Sequence, residues 1–206
     1  DLRMSRGLGD VYKRQVYKNN ECVVIADEIW SDLILKGSQH IPTQSISPDA
    51  RNRTIALYAP SKTFNLAGLV GSYHIIFNKM LRDRVEAKSR KSHYNTMNVL
   101  SMHALIGAYE AEGYTWVNEL CQVLSENVDY AVNHIRDYYR GIEVSKPQGT
   151  YMLFLDCEDW CEENYKSLDE LLKAGWDVGV AWQDGRPFHQ ELSLIHISEP
   201  TRHAQI

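Results

Sequence analysis

Two polar groups at the ends of apolar runs are the residues best placed to do chemistry. Cys22-Val-Val-Ile-Ala is a continuous apolar run that closes on Asp27, and Thr54-Ile-Ala-Leu-Tyr-Ala is another that leads into Ser61 and Lys62. Runs apolar on both faces suit buried parallel strands, and open α/β sheets hold their ligand crevices at the carboxyl ends of such strands. Asp27 and Lys62 are therefore predicted to emerge into one crevice. An acid and an amine there have two explanations. One is a salt bridge, which position alone favours. The other is a working pair: an amine relieved of its proton by burial or neighbouring positive charge, able to act as nucleophile or base, with an acid that stays ionised beside a cation.

The elements that position this pair follow from pattern. Gly71 to Phe77 makes a third strand, and the polar stretch from Pro42 to Arg53 reads as loop or a short helical excursion. Lys79 to Arg90 is a charged amphipathic helix; Val99 to Glu112 is a second helix, broken by Gly113. From Thr115 to Tyr139, Trp116, Leu120, Leu124, Val128, Val132, Ile135 and Tyr139 lie along one stripe, and Gly141 suits the C-terminal cap. At about 1.5 Å per residue that helix spans about 40 Å, enough to leave one domain and enter another. Beyond it, Tyr151 to Asp156 reads as a strand, Ser167 and Glu170 have capping-box spacing ahead of a helix, and Val178 and Val180 alternate as a strand.

Composition narrows the function classes. The chain has 206 residues, 44% of them hydrophobic, and 22 basic against 27 acidic residues give a formal net charge of -5. No basic stripe of the kind a phosphate backbone requires is present, so no nucleic-acid partner is expected. No apolar run approaches the roughly 20 residues that span a bilayer, so no membrane association is expected and a soluble, cytoplasmic protein is. Cys22, Cys121, Cys157 and Cys161 lack zinc-site spacing, and reduced, partly buried thiols are expected. His40, His74, His93, His103, His134 and His189 show no metal-ligand pattern, which leaves packing or surface roles and no metal. Nothing in the spacing of Tyr94 and Asn95 assigns them to the site.

The wording around the two polar groups changes the balance between salt bridge and working pair. ADEIWSDL at Ala26 to Leu33 and APSKTFNLAGL at Ala59 to Leu69 resemble fold-type I pyridoxal-5′-phosphate (PLP) enzymes, in particular the cystathionine β-lyase branch, the cysteine carbon–sulfur lyases related to class I/II aminotransferases. HALIGAYEAEGYTW at His103 to Trp116, PQGTYMLFLD at Pro147 to Asp156 and GVAWQDGRPFH at Gly179 to His189 follow in the family's order. The resemblance implies an α/β fold with part of a large, mainly parallel-sheet domain and most of a small C-terminal α/β domain. It implies PLP as cofactor, carried by Lys62, which also moves protons, with Asp27 paired to the pyridine nitrogen. Ser61 is placed to donate to the cofactor phosphate, although a turn serine that bonds only backbone fits as well. Trp30 stands where aminotransferases carry a tyrosine that bonds the cofactor's ring oxygen, and an indole can donate but not accept.

The resemblance further implies α,β-elimination from cystathionine or a cysteine S-conjugate, giving thiol, pyruvate and ammonia, by a homodimer. Transamination is the second reading, and a catalytically inactive truncated remnant the third. Val70 occupies the usual position of a phosphate-binding arginine, and Ala59 replaces a small hydroxyl or glycine; both departures favour the lyase branch. The family's carboxylate-binding arginine is expected after His189, and neither Arg186 nor Arg202 fits its motif.

The ends match no such pattern. DLRMSRGLGDVYKRQ and LSLIHISEPTRHAQI lack apolar period, read as no folded element, and resemble translated sequencing adapters. The expected organisation is a non-native segment at 1–15, a partial large PLP-binding domain at 16–114, an inter-domain helix at 115–140, a partial small domain at 141–191 and a non-native tail at 192–206.

Overall fold

The computed structural model describes residues 15–92, 96–188 and 194–198. His93, Tyr94, Asn95 and His189 lie outside them, as do most of both ends. The chain divides into two compact units, one of residues 1–32 and 40–117, the other of 33–39 and 118–206.

The first unit is built on a three-stranded sheet in the order β1 (Val24–Asp27), β2 (Thr54–Tyr58), β3 (Tyr73–Ile76). β1 and β2 are parallel, with Asp27 opposite Leu57, whereas β3 runs antiparallel to β2. An apolar run carries no information about strand direction, so the third strand's orientation was not legible. Nor are the strands buried on both faces as expected. Thr54 and Ala56 are fully buried, but Ile25 is 69% exposed, and Leu57 and Ile75 are exposed beside it. Among the described residues only one sheet face is packed. Between the strands, Ser47 caps α1 (Pro48–Arg53) by accepting from the Ala50 N–H at 3.0 Å. Gln44 donates to the carbonyls of Thr54 and Ile75, clamping that loop to β2 and β3. After β2 comes the one-turn helix α2 (Pro60–Thr63), then after β3 the charged helix α3 (Lys79–Ser92) and α4 (Val99–Ala108).

Gly113 does not break a helix. It sits in the first turn of the long helix α5 (Ala111–Tyr138), where a Cβ would lie 1.9 Å from the Ala108 carbonyl oxygen. The chain turns so tightly from α4 into α5 that only glycine fits, and a glycine needed for close approach looks in sequence like a breaker.

The second unit packs around the distal part of α5. Leu124, Val128 and Val132 are buried, while Trp116 and Tyr139, at the ends of the expected stripe, are 44% and 48% exposed. Its sheet runs β4 (Glu143–Val144), β5 (Met152–Asp156), β7 (Leu194–Ser198), β6 (Gln183–Asp184), antiparallel throughout. β7 corrects the expectation that the stretch from Leu192 holds no folded element: Leu194–Ser198 pairs along the whole of β5. Leu-Ile-His-Ile supplies strand-forming residues, and backbone pairing to a sheet requires no longer periodic pattern. Leu33 and Leu35, on the strap at 33–39, are buried, and the Leu35 N–H donates to Gln148 O at 3.0 Å.

α6 (Glu158–Glu163) and α7 (Leu168–Asp177) complete the unit. The capping box forms as its spacing predicted, with the Ser167 hydroxyl accepting from the Glu170 N–H and Glu170 from that of Ser167. Val178 and Val180, in contrast, form no strand. Gly179 adopts φ +84°, the Val178 and Val180 N–H groups both donate to Gly175 O, and the segment is the C-terminal turn of α7. At Gly175 itself a Cβ would lie 2.2 Å from Trp182 Nε1, whose N–H donates to Leu172 O. Gly175→Ala is expected to cost about 1–3 kcal/mol by overpacking, read as a lower urea midpoint.

The four cysteines are free thiols. Burial, with Cys161 and Asp156 nearby, pushes the Cys157 thiol up to about 12. Burial also raises the Cys161 thiol. Since the thiolate is the reactive form, Cys22 and Cys121 are expected to alkylate first at about pH 8, and Cys157 only on unfolding; mass mapping of a brief iodoacetamide pulse checks this.

Candidate functional site

The parallel register of β1 and β2 brings their carboxyl ends side by side, so Asp27 and the segment leading to Lys62 leave the sheet at the same edge. Asp27 Oδ1 accepts the Ile29 N–H at 3.1 Å, turning the chain away from the strand, while the Glu28 N–H continues the ladder to Leu57 O. Asp27 is exposed and its Oδ2 has no partner among the described residues. Glu28 is buried: it accepts the Thr43 N–H at 2.9 Å, and His40 Nε2 lies 2.5 Å from its other oxygen at an angle outside hydrogen-bond geometry. Two adjacent acids thus have different environments, Glu28 anchoring a loop and Asp27 free to meet a ligand.

Pro60 opens α2 at a position where its fixed φ suits a helix and its missing N–H costs nothing. Lys62 follows, half-buried, with Nζ 5.2 Å from the centroid of the Trp30 ring. Among the described residues no ion pair joins Lys62 to Asp27 or to any other carboxylate, so the salt bridge that position alone favoured is not formed. The Ser61 hydroxyl makes no hydrogen bond to a described residue, while its carbonyl accepts the Leu66 N–H across the left-handed Asn65 at φ +53°. Val70 is 80% exposed.

One feature of the site went unread in the sequence. The Thr63 hydroxyl, fully buried, donates to Asp32 Oδ2 at 2.9 Å and so ties the loop after β1 to α2. Both residues lie inside the two quoted motifs, but nothing in either motif says that one reaches the other. Around them stands an aromatic wall: Tyr58 stacks on Tyr73, Tyr73 and Phe64 meet Tyr109 edge-on, and Phe64 stacks on Trp116. Burial, and then the hydrogen bond with Tyr73, raise the Tyr109 hydroxyl above its ordinary value, so it stays protonated and serves as wall. Arg186 is engaged elsewhere, donating to Asp184 at 2.7 Å and to Asp169 at 2.6 Å. Among the described residues this site offers a primary amine not spent on a carboxylate and an acid with a free oxygen, beside an indole face.

Residues 13–198 match the family described as aminotransferase class I and II. The chain belongs to that family. Its α/β fold is that of the fold-type I enzymes, here with one mixed sheet and one antiparallel sheet. Within the class I and II aminotransferases its similarity falls in the cystathionine β-lyase and carbon–sulfur lyase branch. Cystathionine β-lyase PatB of Bacillus subtilis is 31% identical over 152 residues, which are 74% of this chain and 39% of PatB. Protein MalY of Escherichia coli is 32% identical over 170 residues, 80% of this chain and 43% of MalY. The PLP-bound C–S lyase of Staphylococcus hominis superposes with a TM-score of 0.76 at 28% identity, covering 89% of this chain and 46% of that one. This member of the family thus spans less than half the length of the relatives it matches. The matched stretch runs on through Ser198 and so includes β7. No helix among the described residues is long and apolar enough to cross a membrane.

Proposed function

We propose that the parent protein is a PLP-dependent carbon–sulfur β-lyase that takes cystathionine or a cysteine S-conjugate to thiol, pyruvate and ammonia, working as a homodimer. The observation that carries this reading is the Lys62 amine, at the strand edge and free of any carboxylate among the described residues. The residues present fit the cofactor: Lys62 to hold it covalently, Asp27 Oδ2 to face a protonated pyridine nitrogen, the Ser61 hydroxyl to donate to its phosphate, and Trp30 to line the ring beside Lys62. When bound, PLP supplies an electron sink for the charge left at the substrate Cα. Lys62 takes the proton from that Cα, and its half-buried place against Trp30 shields the amine from bulk water. The Asp27 carboxylate would hold a proton on the cofactor's ring nitrogen by charge pairing.

For the 206-residue chain itself the reading is an inactive fragment. A bidentate guanidinium fixes an amino-acid carboxylate, and Arg186 is already committed to Asp184 and Asp169. Two measurements test the proposal. Borohydride reduction of the chain incubated with PLP, followed by peptide mapping, is expected to place the cofactor on Lys62, and an adduct spread over surface lysines rejects that role. In the full-length parent, pyruvate release from cystathionine is expected without added keto acid. Strict keto-acid dependence identifies the second reading, transamination, which the family's breadth supports.

A further inference from the structure

We infer that Asp32 and Thr63 are positioning residues, whose hydrogen bond holds the helix turn bearing Lys62 against the loop bearing Trp30; this rests on the reading of Lys62 as the cofactor-bearing amine. α2 is one turn of four residues, has no side-chain cap bond at its N-terminus, and gives way two residues after its end to the left-handed Asn65. A single turn closes too few hydrogen bonds to fix its own orientation, so the direction of Lys62 must be set from outside. The external tie is the 2.9 Å bond from Thr63 Oγ1 to Asp32 Oδ2, between residues 31 apart in sequence. Its two ends adjoin the functional groups: Thr63 follows Lys62 directly, Asp32 lies two residues after Trp30, and Lys62 Nζ sits over the Trp30 ring. Thr63 is fully buried, where a hydroxyl without an acceptor is costly, and the ionised acceptor makes the bond stronger than a neutral one. Burial raises the Tyr58 and Tyr109 hydroxyls above their ordinary value, and the Asp32 carboxylate adds a smaller share to each.

The test begins with the chain free of PLP, with acetic anhydride as probe and the labelling of Lys62 scored against Lys79, whose side chain is 79% exposed. Thr63→Val is expected to raise the Lys62 ratio roughly tenfold, the size of a lost bond to a charged acceptor. Thr63→Ser, which keeps the hydroxyl, is expected to restore the ratio. Wild-type labelling in Thr63→Val overturns the inference. Should Thr63→Val not fold, Asp32→Asn decides: it keeps an acceptor but removes the charge, and about threefold higher labelling with an unchanged melting curve is expected. Wild-type labelling in that variant overturns the inference. A second arm adds PLP and borohydride, with about tenfold slower trapping at Lys62 expected in Thr63→Val and recovery in Thr63→Ser. Absence of any trapping at Lys62 in the wild-type chain defeats the cofactor reading, while the cofactor-free labelling still decides the tie.

Discussion

Lys62→Ala is expected to end covalent PLP capture by the chain and to lower turnover of the full-length parent by at least about 10²–10⁴, the usual contribution of a positioned acid or base. The argument is local. Lys62 is the amine at the carboxyl edge of the β1–β2 pair, and no carboxylate among the described residues competes for it. On the proposed reading, removing the amine removes both the covalent anchor and the group that takes the Cα proton. Peptide mapping after borohydride, alongside a pyruvate assay of the parent, reads the two losses separately. Normal turnover in the variant sinks the assignment. Arginine at the same position offers a cation but no amine able to condense with an aldehyde, so Lys62→Arg is expected to fail in both assays as well.

Asp27→Ala is expected to separate the two functions. The lysine link does not involve this carboxylate, so borohydride trapping at Lys62 should persist, while turnover of the parent falls about as far as in the lysine variant. The reason is that only a protonated ring nitrogen draws electrons strongly from Cα, and the Asp27 carboxylate would keep that proton in place. Glu28 is no substitute although it is the neighbouring acid. Alternation along the chain turns it inward, where the Thr43 N–H and His40 occupy its oxygens. Near-normal lyase activity in Asp27→Ala, together with intact trapping, rejects the role proposed for this acid.

Much of this was open to reading in the chain itself, for reasons that particular residues make plain. The apolar runs that lead into Asp27 and from Thr54 to Ala59 specify strands because both are too short for helices and too apolar for loops, and both strands form. The stripe from Trp116 to Ile135, which repeats turn by turn, and the Ser167 and Glu170 capping box are local signals, and both elements appear. The signals that failed were residue types that fit two local conformations equally well. Gly113 looked like a helix breaker and is a close-approach glycine; Val178 and Val180 looked like a strand and flank a left-handed Gly179.

The sequence by itself singled out Lys62 and Asp27 as the residues proposed to carry chemistry, because their type, their place at the ends of apolar runs and the wording around them are properties of contiguous segments. Only the tertiary structure decided the rest. It made β3 antiparallel, and it drew Leu33 and Leu35 into the second unit beside Gln148. It joined Asp32 to Thr63, left Lys62 over Trp30 without a carboxylate partner among the described residues, and committed Arg186 to two aspartates. Most of these are pairings between groups far apart in the chain, Arg186 with its near neighbour Asp184 excepted. A residue's own neighbours fix its local conformation, but which distant group it meets depends on how the elements pack, and no local pattern encodes that.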